Sequence, residues 1–268
     1  MMGAPTATAA APAAAPAAPA APAAEFKPGW PSKATPSKHA LWLMMGLAAF
    51  LLVYDIVILI QASTGNWYYG FEGKQAWHIL YRWIHLIAGI TWIGLLYFFN
   101  FVNIPFAKEA DFATIKGVYI PKLLARGLFW FRWMAMNTVL AGWGLIFLLY
   151  GAGGTYGFNS ISSLWETPNG QTILTGMILG MVMWFNVWFI IWPNQKKAIF
   201  AVESKQAPDP KWGKTALMAS RTNTVLSFPM LFFMAASAHY PLPIWGILAV
   251  VGIGSAFAAL FVWVGMKS

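Results

Sequence analysis

The chain contains no cysteine. That absence removes disulfides, thiolate zinc sites, iron–sulfur clusters and a cysteine nucleophile. It also removes covalently attached haem c, which needs C-x-x-C-H. Charge is the second shortage. Only 9% of residues are Asp, Glu, Lys or Arg, against ~25% in a soluble domain. Acidic residues are scarcer still, 8 against 17 Lys and Arg, for a net charge of +9. There is no phosphate loop, no H-E-x-x-H and no G-x-S-x-G. What is present is apolar surface: 59% of the 268 residues are hydrophobic and 17% aromatic. The expected class is an all-α integral membrane protein whose first partner is the lipid bilayer. The basic residues lie beside apolar runs, where they act as topology signals, so no nucleic-acid partner is expected.

Residues 1–38 form an Ala/Pro-rich tail. It cannot bury a core, and proline biases it to an extended or disordered state. It has no basic n-region and no Leu-rich stretch, so a secretory signal is not expected. An arm lying across a neighbouring subunit is the other reading. Residues 39–268 form the transmembrane domain. Six apolar spans are expected, at about 41–61, 77–103, 129–150, 171–193, 222–240 and 244–266, each near the ~20 residues that cross a bilayer. The tail carries Lys27, Lys33 and Lys38. The connection after the second span carries Lys108, Lys116, Lys122 and Arg126, and that after the fourth carries Lys196, Lys197, Lys205, Lys211, Lys214 and Arg221. The connections between hold only Lys74. Basic connections thus alternate with neutral ones, which predicts a six-helix bundle with both termini cytoplasmic.

The second span, WHILYRWIHLIAGITWIGLLYFFNFVN, organises the rest. His78, Arg82 and His85 follow at steps of four and three, so they share one helical face. Gly89 and Asn100 continue that stripe. Titratable groups at membrane depth are costly and usually face the protein interior. Asp55 in the first span approaches Arg82, and the two can pair. Alternatively Arg82 recognises a planar, nitrogen-rich anion by its bidentate fork. Arg132 sits near a span end and can snorkel, and Asn137 needs a hydrogen-bond partner. The fourth span holds a small-residue step, Gly176 and Gly180, and ends at Trp192–Pro193, where the chain is expected to leave the helix. Pro229 is expected to kink the fifth. Of four histidines, His78, His85 and His239 fall in the same half of the membrane. Without thiolates, facing histidines are natural ligands for haem b iron, with His85 and His239 as the pair and His78 as a substitute. Gly89 would leave room for the macrocycle. The plainer reading is that these imidazoles bond backbone and water near the interface.

Four blocks resemble a known family in the same order: WIHLIAGITWIGLLYFFNFVNIPF ending at Phe106, FRWMAMNTVLAG at 131–142, WPNQKK at 192–197, and R-x-N…SFPMLFFMAASAHYP at 221–241. They are similar to the bacterial urate hydroxylase membrane domain, also called the membrane urate oxidase N-terminal domain. The resemblance spans about 77–266, and the first block is the most specific. It implies an oxidoreductase of the bacterial inner membrane that oxidises urate toward 5-hydroxyisourate and passes electrons to cytochrome c. Family members resemble a membrane domain followed by a cytochrome c domain. Here the chain stops at Ser268 without C-x-x-C-H, so a separate cytochrome is the expected acceptor. The alternative is a non-catalytic accessory subunit of a larger respiratory or photosynthetic complex. Positions matching the family blocks are His85, Asn100, Arg132, Asn137, Asn194, Arg221, Asn223 and His239; the Asn and Arg residues among them join Arg82 and Asp55 as candidate substrate-binding positions.

Overall fold

A computed structural model describes residues 38–66, 70–109, 111–151 and 161–265. The tail up to residue 37 lies outside the described residues. Among those residues every regular element is helical. In chain order they are α1 (Lys38–Thr64), α2 (Gly70–Tyr97), α3 (Ile104–Phe106), α4 (Phe112–Tyr119), α5 (Ala125–Tyr150), α6 (Pro168–Phe185), α7 (Trp192–Glu203), α8 (Pro210–His239) and α9 (Ile244–Gly265).

Several of these run on as longer rods. α2 continues through a π-helical turn, Phe98–Asn103, into α3. α4 joins α5 through a second π turn, Ile120–Leu124. α6 joins α7 through a third, Asn186–Ile191. Each π turn adjoins or contains a proline: Pro105, Pro121 or Pro193. Proline lacks an N–H and its ring clashes with the carbonyl four residues back. A widened turn accommodates both without ending the helix. The chain therefore does not leave the helix at Trp192–Pro193 as the sequence suggested. It stays helical to Glu203. Pro229 likewise sits buried inside α8, which runs through it.

Five helices are long and apolar enough to cross a membrane: 38–64, 73–106, 112–150, 168–203 and 244–265. The expected span 222–240 lies in α8, which is 30 residues long but is not among the five. The reason is compositional. α8 carries Arg221, Thr222, Asn223, Thr224, Ser227, Ser237 and His239 in the relevant stretch. Asn223, Thr224, Ser227 and Ser237 are buried, so its polarity is spent inside the protein.

Caps set the helix starts. Thr167 accepts from Gly170 N at 3.1 Å to open α6, and Asp209 accepts from Lys211 N at 2.8 Å to open α8, each followed by a proline. The helices pack as two groups. α5 packs on α1 and α2, and α8 packs on α6 and α9. One core joins the groups, built from Trp92, Leu96, Phe131, Met183, Val187 and Ile191 among others. The outer faces of α1 and α9 remain apolar and exposed, with Leu52, Ile56, Ile253 and Phe257 as examples, as lipid contact requires.

Candidate functional sites in the helix bundle

The first group of polar residues lies between α1, α2 and α5. His85 Nδ1 is 2.8 Å from Thr138 O. A carbonyl only accepts, so Nδ1 carries the proton and Nε2 keeps its lone pair. Gly142 permits this approach, since a β-carbon there would stand 3.1 Å from the imidazole. An Nδ1–H held by backbone is the arrangement that orients a metal-ligating histidine. Gly89 lies against Thr138 of α5, so the space it frees is a helix–helix contact rather than an open slot.

Asp55 does not pair with Arg82. It is buried beside the Tyr81 hydroxyl, which lies 3.4 Å from Leu51 O. Its Oδ1 has no hydrogen-bond partner among the described residues. Arg82, one residue on, is turned ~100° around α2 and is exposed. Its Nη2 donates to His78 Nε2 at 3.0 Å, which occupies the lone pair His78 would need as an iron ligand. Gly144 is required beside Asp55: a β-carbon there would collide with Tyr81 and lie 2.7 Å from Asp55 Oδ1. Asn137 is fully buried, with its amide 3.8 Å from Met44 Sδ and its Oδ1 without a partner among the described residues.

The second group lies between α6, the third π turn and α8. Asn186 Nδ2 donates to Asn223 Oδ1 at 2.7 Å, and Asn223 Nδ2 donates to Met183 O at 2.9 Å. Leu242 N donates to Thr172 Oγ1 at 2.9 Å, and Asn169 donates to Ser237 O. At the junction with α2, Tyr97 and Ser227 hydroxyls meet at 2.9 Å and Asn100 Nδ2 donates to Ser220 Oγ at 2.8 Å. Asn194 donates back to Ile190 O at 2.8 Å, and Arg221 is half-buried on α8.

Arg132 departs from expectation. It does not snorkel to water; it is 4% exposed. Its guanidinium carbon lies 3.9 Å over the Trp192 ring and 5.6 and 5.8 Å from Trp188 and Phe129. The Trp188 indole donates to Arg132 O at 3.1 Å. Cation–π attraction strengthens in such a desolvated cage. Trp188, Tyr81 and Gly144 are partners that the sequence pattern did not single out. Their signal was present in the FNVWFIIWP run, where a π turn brings Asn186 and the two tryptophans onto neighbouring helices.

His85 and His239 each lie twelve residues from the Tyr97–Ser227 contact, ~18 Å along each helix. Their depths match. His85, however, is turned to α5, and His239 is exposed at the tip of α8. Among the described residues no three His, Asp or Glu side chains gather as a metal cluster.

An all-helical bundle with several membrane-length apolar rods and buried polar side chains at helix contacts defines a multi-pass membrane protein. Within that class, residues 160–264 match the family described as urate oxidase N-terminal, the family that the sequence blocks resemble. The match covers α6 to α9 rather than the block ending at Phe106. No curated protein and no solved structure matches the chain.

Proposed function

We propose that the chain is a urate-hydroxylase-like oxidoreductase domain of the bacterial inner membrane. The observation that carries this reading is the family match over α6 to α9. In the proposed orientation α8 is a sixth span, and both termini face the cytoplasm with the Lys- and Arg-rich connections. A reporter after Ser268, and one near Lys205, should both read as cytoplasmic.

Oxidation of urate to 5-hydroxyisourate adds the oxygen of water and releases two electrons and two protons. The proposed electron acceptor is a separate cytochrome c. Arg82, with its orientation held by His78, is the proposed anion contact for the purine. Asp55 is the candidate proton acceptor, since its Oδ1 carries no other hydrogen bond among the described residues. Asn100, Arg132, Asn137, Asn194, Arg221 and Asn223 support the frame around the site. Haem b is the proposed cofactor. His85, whose Nε2 keeps its lone pair, is the proposed first ligand, and His239, exposed at the tip of α8, the proposed second. The haem would supply one-electron relay between urate and the cytochrome.

The test is urate consumption by membranes carrying the full chain, with and without added oxidised cytochrome c. Urate loss coupled to cytochrome reduction is the expected result. No turnover under either condition would leave the non-catalytic subunit reading in its place.

A further inference from the structure

The three π turns do not scatter along the bundle. They converge on one cavity of about 230 Å³. Phe99 and Asn103 reach it from the first turn, Leu124 from the second and Ile191 from the third; Gln195 of α7 and Ser220 of α8 complete the polar part of its wall. π turns recur at functional sites because they re-aim side chains without ending a helix. Behind that wall Asn100, 1% exposed, donates to the Ser220 hydroxyl and holds it in place.

The wall has a distinct chemistry. Its apolar side includes Phe99 and Phe131, whose rings meet edge to face at 5.5 Å. Its polar side is a set of hydrogen-bond donors. The Ser220 hydroxyl accepts from Asn100 and keeps its own proton to give. Asn103 Oδ1 is occupied by the Tyr119 hydroxyl, which leaves its NH₂. Gln195, half-buried on α7, adds a side-chain amide whose NH₂ can donate. No lining residue is charged.

Donors without a cation, among aromatic and aliphatic walls, select an acceptor that is neutral. A desolvated anion here would lack a countercharge. Urate is an anion at neutral pH and is the wrong occupant. The volume is below the ~300–1,000 Å³ of drug-sized sites, which excludes a haem and suits a single ring. We propose that this cavity binds the carbonyl-bearing ring of a lipid-soluble quinone, with Ser220, Asn103 and Gln195 donating to its carbonyl oxygens and Phe99 and Phe131 against its face. The site is separate from the Arg82 and His85 region and does not depend on the urate reading.

The experiment uses the full chain in phosphatidylcholine nanodiscs with a photoreactive azido-quinone as label and decylubiquinone as competitor. Labelling should saturate, fall within the segments 99–104, 124–131, 191–195 and 213–220, and be chased by decylubiquinone but not by urate. Gln195→Leu, at a half-exposed position that leaves folding intact, should weaken decylubiquinone competition at least tenfold. Ala216→Phe should fill the cavity and abolish labelling. If that variant fails to insert, Gln195→Leu decides alone. Labelling that never saturates, that maps elsewhere, that urate chases, or that Gln195→Leu leaves unchanged would overturn the proposal.

Discussion

The α6–α8 contact and the α1–α2–α5 contact use polar residues in opposite ways. Between α6 and α8 the polar groups answer one another: Asn186 donates to Asn223, Asn223 to Met183 O, and Leu242 N to Thr172 Oγ1. The members of that ladder act as helix glue; the one amide oxygen of that contact without a partner among the described residues, Asn169 Oδ1, belongs to a side chain that already donates to Ser237 O. Between α1, α2 and α5 the polar atoms have open valence. His85 keeps Nε2, and Asp55 and Asn137 each keep an oxygen without a partner among the described residues. Glycines 142 and 144 make the room. A buried polar atom without a partner costs ~1–3 kcal/mol; where it lies on a titratable group, as at Asp55 Oδ1, it is a candidate site. The family match falls on the scaffold half, α6 to α9, while the titratable groups sit in the other.

Glycine substitutions sharpen this contrast most. Gly144→Ala drives a β-carbon into Tyr81 and toward Asp55. It should cost ~1–3 kcal/mol, the usual penalty of overpacking, read as a lower midpoint of thermal unfolding in detergent. Gly180→Ala on α6, where nothing lies within 4 Å of the added carbon, should change stability by less than ~0.5 kcal/mol. Equal effects at the two positions would erase the distinction between a crowded position and one with room for a methyl group.

The amide ladder gives the next largest effect. Asn223→Ala strands Asn186 Nδ2 and should destabilise by ~1–2 kcal/mol. The Asn186→Ala, Asn223→Ala cycle should return a coupling of ~0.6–1.7 kcal/mol, the range of interhelical hydrogen bonds in membranes. The same cycle on His78 and Arg82, an exposed pair, should give ~0.5 kcal/mol or less. Tyr97→Phe should cost no more than ~1 kcal/mol by removing its hydroxyl from Ser227, measured by the same unfolding assay.

Much of this architecture was legible in composition and loop charge: the helical class, the membrane setting and most span positions follow from apolar runs. The α8 segment was harder. Its polar residues lower its hydropathy because they are turned inward, and a one-dimensional profile cannot see which way a side chain faces. The helix through Pro193 was missed because a proline ordinarily ends a helix, and the π turn that absorbs it leaves no simple pattern. For the site, His78, Arg82 and His85 were found by their spacing. Their partners were not. Asp55 met Tyr81 rather than Arg82 because adjacent helical residues point ~100° apart, and which of them faces α1 is set by packing. Arg132 was read as a snorkelling cation because its aromatic cage comes from residues 56 and 60 positions later in the chain.

The most direct test of the central claim, that the chemistry resides in the α1–α2–α5 half and the α6–α8 half is its frame, is a reduced-minus-oxidised spectrum of membranes carrying wild type, His85→Ala or Asn223→Ala at equal protein level. The account predicts a b-type band in wild type, its loss in His85→Ala with the protein still inserted, and its retention in Asn223→Ala. A wild type without the band, or a band lost in Asn223→Ala and kept in His85→Ala, would contradict it.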